Sequence, residues 1–261
     1  MDRIHIVTAT NNLYAKPLAV MLTSLFTNKS SLNPVTVHII DGNISKNNKI
    51  RLSNCLKKYP KAEVEFVKVD ASMFQDVQLR FHLSKETYYR IAIPRILSND
   101  IQKAIYLDCD MIVKDDITTL WNLNLDDYFV AAVNIPGNID RFMELSIPRQ
   151  DGYFNAGMLV INVQKWREAN ITGQVLNYMK YNPEKLKLMD QDALNAILHD
   201  KWLRLKHRWN YQVHRSHLLP VKNPAIIHFT TGKKPWNSNP RYKYEYMRYR
   251  RKTVWLLNKG R

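Results

Sequence analysis

Asp108 and Asp110 stand two residues apart near the end of a strongly apolar run, KAIYLDCDMIV, at residues 103–113. If that run is one strand, residues two apart project to the same face and both carboxylates address one point. Two like charges held that close at the end of a buried strand repel each other, and a divalent cation between them is the simplest relief. Hard carboxylate oxygens suit Mg²⁺ or Mn²⁺, and such an ion can bridge the pair to phosphoryl oxygens. Alone, Asp-x-Asp equally fits a solvated turn at a strand end; the buried-strand setting raises the metal reading. The chain has only seven glycines and neither a GxGxxG nor a Walker loop, so phosphates must be held in another way.

The carboxylates need a frame, and the first seventy residues offer one that alternates strand and helix. Residues 4–9 read as a strand, followed by the turn-like Thr10-Asn11-Asn12 and an apolar helix over 14–26. A second strand covers 35–40, Ser45 caps a helix that runs to residue 59 where Pro60 stops it, and a third strand covers 64–69. That alternation predicts a parallel sheet with helices on its faces, an α/β architecture of nucleotide-binding type. Further on, the pattern predicts a helix over 86–96 that pauses at Pro94, then the 103–113 strand. Strands follow at 129–133 and 158–162, the second after a turn at Asn155-Ala156-Gly157, with helices at 164–179 and 190–199 and a last strand at 225–228. No internal repeat or low-complexity linker divides the chain.

Composition narrows the class. Apolar residues make up 45% of 261, ample for one core with a C-terminal extension. No uncharged apolar stretch reaches the roughly 18 residues a bilayer span needs, and the start, MDRIHIVTAT, lacks the apolar region and cleavage site of a secretory signal. A cytosolic protein is expected. Cys55 and Cys109 fall in a predicted helix and a predicted central strand, so they read as buried packing residues in a reducing compartment. The net charge of +16 implies an anionic partner, leaving nucleic acid, a phosphate-bearing substrate and a membrane surface open.

Six motifs now stand in order: IVTATNNLYAKPLAVMLTSL, TYYRIAIPRIL, YLDCDMIV, YFNAGMLVIN followed by KW, DQDALN, and HFTTGKKPW. With them the chain resembles bacterial family 8 glycosyltransferases, the lipopolysaccharide galactosyl- and glucosyltransferase group related to glycogenin, over residues 3–237. The resemblance implies a GT-A type Rossmann-like sheet flanked by helices at 1–237 and a small basic, aromatic helical extension at 238–261. It implies that Asp108, Asp110 and His228 hold Mn²⁺, or Mg²⁺, on the diphosphate of UDP-galactose or UDP-glucose. A lone histidine at a strand end otherwise reads as a satisfied imidazole. Lys234, in the motif with Gly232, corresponds to a phosphate-binding lysine, and Arg90 to an arginine near the diphosphate and sugar.

By the same resemblance Ala9, Thr10, Asn11 and Tyr14 form the uridine segment, with Tyr14 stacking on the base. Cys109 lies within the donor-binding motif as a packing residue. Asn155 and Ala156 line the donor sugar, and Asp190 and Gln191 lie beneath it, although DQD alone reads as a helix N-cap with Asp190 accepting a backbone N–H. Two positions depart from the family. Asn11 stands where aspartate is common; its amide oxygen can still accept the uracil N3–H, without the charge. Asn134 stands where an aspartate often meets sugar hydroxyls.

The implied reaction transfers a hexose from UDP to a hydroxyl of a bacterial glycoconjugate, a saccharide, glycoprotein or glycolipid, with retention of configuration. Gln191, expected under the anomeric carbon, is a poor nucleophile, which favours front-face attack with Asp192 as the alternative nucleophile. Asp190, Gln191 and Asp192 are thus the catalytic candidates. An inactive nucleotide-sugar- or glycan-binding subunit is the competing class, supported only by Asn11 and Asn134. A nucleic-acid binder driven by charge would leave the two-carboxylate strand unexplained. From residue 241 the tail reads RYKYEYMRYRRKTVWLLNKGR, with eight basic residues and interleaved aromatics. It suits single-stranded bases, an anionic membrane surface or a solvated helix. The resemblance favours the membrane, and with it a peripheral position on the inner face.

Overall fold

The fold was described from a computed structural model over residues 2–77, 85–135 and 139–255. Residues 256–261 of the tail lie outside the described residues. In chain order the strands are β1 (Ile4–Asn11), β2 (Val35–Gly42), β3 (Ala62–Val67), β4 (Lys103–Leu107), β5 (Met111–Val113), β6 (Val130–Asn134), β7 (Phe154–Asn162), β8 (Trp202–Leu205), β9 (Tyr211–Gln212) and β10 (Ile226–His228). The α-helices are α1 (Ala15–Asn28), α2 (Lys46–Leu56), α3 (Ile93–Ile96), α4 (Thr118–Trp121), α5 (Ile139–Glu144), α6 (Val163–Glu168), α7 (Ile171–Tyr181), α8 (Asp190–Leu198) and α9 (Lys243–Lys252).

The N-terminal alternation folds as its pattern dictates, with β1, β2 and β3 paired in parallel. Helix α1 is apolar on every side because it is sandwiched: it packs on β1, β5, α2 and α9, and Leu18, Met21, Leu22 and Leu25 are fully buried. Ser45 caps α2 by accepting from the Asn48 N–H at 3.3 Å. The helix ends at Leu56 rather than residue 59, and the turn that follows stacks Tyr59 on Phe26 at 5.0 Å between ring centres.

The sheet has seven strands in the order β3-β2-β1-β4-β7-β6-β8. It is mixed, not all-parallel, because β7 runs antiparallel to both β4 and β6. The strict strand–helix alternation that demands parallel pairing stops after β3, so the second half is free to pair otherwise. Strand β7 starts at Phe154, which puts Asn155, Ala156 and Gly157 inside the strand and not in a turn. Strand β8, only four residues long, carried no alternation signal strong enough to find it.

The 103–113 run is not one strand. Strand β4 ends at Leu107, the chain turns through residues 108–110, and β5 joins a separate three-stranded sheet in the order β5-β10-β9. Asp108 and Asp110 therefore sit at the break between two sheets, and strand pleating is not what aligns them. The helix expected over 86–96 is a 3-10 helix, Lys85–Ala92, followed by the short α3 with Pro94 in its first turn. Proline has no N–H to continue a helix but tolerates the start of a new one. The 164–179 helix is split at Asn170, which adopts φ 47° and caps α7 through the Gly173 N–H.

The tail folds back. Tyr246 and Tyr249 of α9 bury against Val20, Ile112, Ile227 and Phe229, so the helix covers the small sheet in which β5 follows Asp110 and β10 ends at His228. The Tyr249 hydroxyl accepts from Asn28 Nδ2 at 2.8 Å, and Glu245 pairs with Lys114 at 2.7 Å. Both cysteines are free and buried, and Cys109 lies in the turn, not in a strand. Among the described residues no helix is long and apolar enough to cross a membrane.

Candidate active site

A cleft of about 590 Å³ opens at the carboxyl ends of β1 and β4, where α/β sheets place their ligands. Its floor is the turn between the two sheets. The Asp108 N–H donates to Gly157 O at 2.9 Å and the Phe229 N–H to Asp110 O at 3.1 Å, so the turn is pinned to β7 on one side and to the end of β10 on the other. Pinned this way, both side chains turn into the cleft beside His228. One ligand atom each of Asp108, Asp110 and His228 lies within 4.8 Å of the others. His228 Nε2 is 3.2 Å from Asp110 Oδ1 and 3.6 Å from Asp108 Oδ2.

This donor set fits a divalent cation, and Gly157 shows that the space is reserved. A Cβ there would fall 2.4 Å from His228 Cε1 and 2.5 Å from Asp108 Oδ2, so glycine lets β7 pass behind these side chains without displacing them. Asn210 Oδ1 stands 2.9 Å from His228 Nδ1, while its Nδ2 donates to Asn155 Oδ1 at 2.8 Å. With Nδ1–H donating to that oxygen, the Nε2 lone pair faces the carboxylates. Burial would raise the Asp110 carboxyl, but its contacts with His228 and with the Lys234 ammonium outweigh that and hold the group well below the usual carboxylate range.

Lys234 is 8% exposed; its Nζ contacts Asp110 and donates to Phe229 O at 2.5 Å. Gly232 is exposed, and a Cβ there would meet nothing within 4 Å; the structure does not bring it to the cleft wall. Arg90 is buried with its guanidinium over the Tyr106 ring at 4.8 Å, 2.8 Å from Asp190 Oδ2 and 3.4 Å from Asp108 Oδ1. Its Nε–H donates to Thr87 O, so it meets Asp190 as a charge rather than along an N–H. Burial pushes the Asp190 carboxyl up to about 6, with Arg90 opposing and Asp108 adding to the rise. Asp190 is the first residue of α8 and not its cap. The cap position belongs to Met189, held at φ 53°.

The Gln191 carboxamide faces the cleft with its oxygen fully engaged: Oε1 accepts from Asn155 Nδ2 at 2.9 Å and from the Ala156 N–H at 3.1 Å, and Nε2 donates to the Tyr153 hydroxyl at 3.1 Å. Ala156 itself is buried and reaches the site through its backbone. Asp192 corrects the expectation of an alternative nucleophile. Its carboxylate is 0% exposed, paired with Arg141 at 2.5 Å and accepting from the Tyr153 hydroxyl at 2.5 Å and the Leu188 N–H at 2.6 Å. It stands behind the cleft wall and braces the strained Met189 turn. Asn134 likewise points away from the lining, with Oδ1 accepting from the Tyr153 N–H at 2.9 Å.

At the other end Ala9, Thr10, Asn11 and Tyr14 line the cleft together. Asn11 Oδ1 accepts from the Leu13 and Tyr14 N–H groups at 3.0 and 3.2 Å, so the amide oxygen expected to face a base closes the turn instead. Tyr14 lies edge-on to Trp236 at 5.7 Å, and Trp236 packs on Tyr246 of α9 at 5.6 Å. The Cys109 thiol donates to Ala9 O at 3.0 Å and burial pushes it up to about 12, an unreactive packing residue that ties β1 to the carboxylate turn. Sequence reasoning missed Asn210, Tyr106 and Glu86. Tyr106 was findable, two residues before Asp108 in the same apolar run and donating to its Oδ1 at 2.8 Å. Asn210 carried no pattern at all.

A sequence model of glycosyl transferase family 8 matches residues 5–240. General stress protein A of Bacillus subtilis is 40% identical over 97% of this chain and 94% of its own, and a lipopolysaccharide 1,3-galactosyltransferase of Salmonella typhimurium is 27% identical over 77% of this chain and 64% of its own. The galactosyltransferase LgtC, solved with donor and acceptor sugar analogues, superposes with a TM-score of 0.89 at 22% identity, covering 98% of each chain. That likeness shows the GT-A type fold. On the family match the chain belongs to glycosyl transferase family 8.

Proposed function

We propose that this family 8 glycosyltransferase moves galactose or glucose from UDP to a hydroxyl of a saccharide-bearing acceptor, with Mn²⁺ or Mg²⁺ and with retention of configuration. The observation that carries this is the convergence of Asp108, Asp110 and His228 within 4.8 Å in a cleft that also presents Lys234 and Arg90. A divalent cation, when bound, supplies positive charge for the diphosphate leaving group. Asp108, Asp110 and His228 would hold it. Lys234 adds a cationic charge to the departing UDP, and Arg90, fixed by Asp190, Asp108 and Tyr106, keeps a second cation oriented without reorganisation.

Gln191 beneath the sugar is a poor nucleophile and the Asp192 carboxylate is closed off. This supports front-face substitution: the glycosidic C–O bond to UDP breaks, the acceptor oxygen bonds to the anomeric carbon from the same side, and its proton passes to a leaving phosphate oxygen. The exposed basic residues Arg241, Arg248, Arg250, Arg251 and Lys252, with Tyr244, support an anionic membrane surface as the place of work. Absence of salt-sensitive sedimentation with anionic liposomes would remove that part. The test of the reaction is a panel of UDP-sugars with Mn²⁺ and simple saccharide acceptors, with product stereochemistry read by NMR. An inverted product would contradict retention, and a covalent glycosyl adduct on Asp192 would contradict front-face attack.

A further inference from the structure

We propose that Glu86 is the residue that selects the nucleobase, with Asn11 and Gly42 positioning it; this rests on a UDP-sugar being the donor. Uracil presents an imide N–H, a donor that needs an acceptor in the pocket, whereas cytosine presents a bare ring nitrogen at the same place. The side chain expected to accept, Asn11, has no oxygen left: both lone pairs of Oδ1 are taken by the Leu13 and Tyr14 N–H groups. Neighbouring acceptors at this end are also committed. Asn12 Oδ1 accepts from the Ser45 N–H at 2.8 Å, and Asp41 accepts from the Ile44 N–H at 2.7 Å and pairs with Lys49.

Glu86 remains. It comes from the 3-10 helix Lys85–Ala92, which crosses the ends of β1 and β2, and it lines the same cleft as Ala9, Thr10 and Tyr14. Asn11 Nδ2 donates to its Oε2 at 3.3 Å, and among the described residues no lysine or arginine pairs with it. Gly42 leaves the space that the side chain occupies. Gly42 lies opposite Asn11 in the β1–β2 register, and a Cβ there would fall 2.3 Å from Glu86 Cγ and 2.4 Å from Oε1. The Asn11 amide thus holds, through its N–H, a carboxylate from another element. A charge-assisted acceptor for the imide N–H is restored, and it repels the acceptor edge of cytosine.

Calorimetric titration of UDP, CDP and inorganic pyrophosphate in Mn²⁺ tests this on wild type, Glu86→Gln, Glu86→Ala and Gly42→Ala. The wild type should prefer UDP over CDP. Loss of a hydrogen bond to a charged group predicts that Glu86→Ala weakens UDP by about tenfold or more and narrows the UDP/CDP ratio. Gly42→Ala, by displacing Glu86, should narrow it too. Glu86→Gln should bring CDP closest to UDP, because its amide can serve either base. UDP binding and a UDP/CDP ratio unchanged in the two Glu86 variants would overturn the proposal, as would a loss of pyrophosphate affinity equal to the loss for UDP. A wild type that binds UDP without preferring it to CDP sinks this inference alone; one that binds neither sinks the UDP-sugar reading as well.

Discussion

The two ends of the cleft are built to different standards. At the carboxylate end Asp110, Lys234, His228, Asn210 and Arg90 come from separate segments, are nearly all buried, and hold one another through a continuous set of ion pairs and hydrogen bonds. At the other end Tyr14 is 36% exposed and Leu13 85%, and the link between Asn11 and Glu86 is one contact at 3.3 Å. Buried charges must be paired from all sides or they are not tolerated, so the end proposed to handle phosphate and metal arrives pre-organised. The base end needs shape and one or two hydrogen bonds. It can meet that need with an amide on β1 and a carboxylate from another element.

That contrast predicts a graded response. Asp110→Ala should cost the most, a loss of transfer on the order of a thousandfold or more with Mn²⁺ binding abolished in a calorimeter, because it removes both a ligand and the partner of Lys234. Asn210→Ala should be next, lowering Mn²⁺ affinity by roughly 10–100-fold through loss of His228 orientation, with activity recovering as Mn²⁺ is raised. Tyr14→Ala should weaken UDP by about tenfold, the range of one lost base–aromatic stack, and leave Mn²⁺ binding intact. Tyr246→Phe, which keeps the ring behind Trp236, should bind UDP as the wild type does, whereas Tyr246→Leu should weaken it by less than Tyr14→Ala. A base-end variant that abolished Mn²⁺ binding would break the comparison.

The smallest effect lies away from the cleft. His5 Nδ1 is 3.0 Å from His38 Nε2, and His38 pairs with Glu65. Burial, then His38 and Arg3, lower His5 from 6.5 to about 4, and burial lowers His38 as well. Both imidazoles are therefore kept neutral in the fold and take protons more readily when unfolded. Their contribution to stability is present above pH 6.5 and is lost as pH falls toward 4. His5→Gln should flatten the fall of the urea midpoint across that window; an unchanged slope would remove the assignment.

How much of this was legible in the sequence differs between the same two ends. Strands β1 to β3 and helices α1 and α2 were readable because local periodicity and Ser45 capping agree with the tertiary structure. The carboxylate pair was legible for the wrong reason. Its two aspartates converge because the chain changes sheets between them, and a three-residue strand such as β5 leaves no period to read. The DQD motif opens a helix as its pattern predicts, but the side chains take other partners than expected. Asp190 meets Arg90 instead of capping, and Asp192, two residues on, faces the opposite side into Arg141. Neither partner is near in sequence, so no local pattern could separate the two. Asn210 and Glu86 share that property: each acts through contacts made only once distant strands are assembled.

The account stands on Asp108, Asp110 and His228 holding a divalent cation against a nucleotide-sugar diphosphate. Its most direct test is the rate of sugar release or transfer from UDP-galactose and UDP-glucose by chelator-stripped protein as Mn²⁺ is added back. The account predicts no turnover in EDTA and a saturable return with Mn²⁺ that Asp110→Ala does not show. Full turnover in EDTA would contradict it.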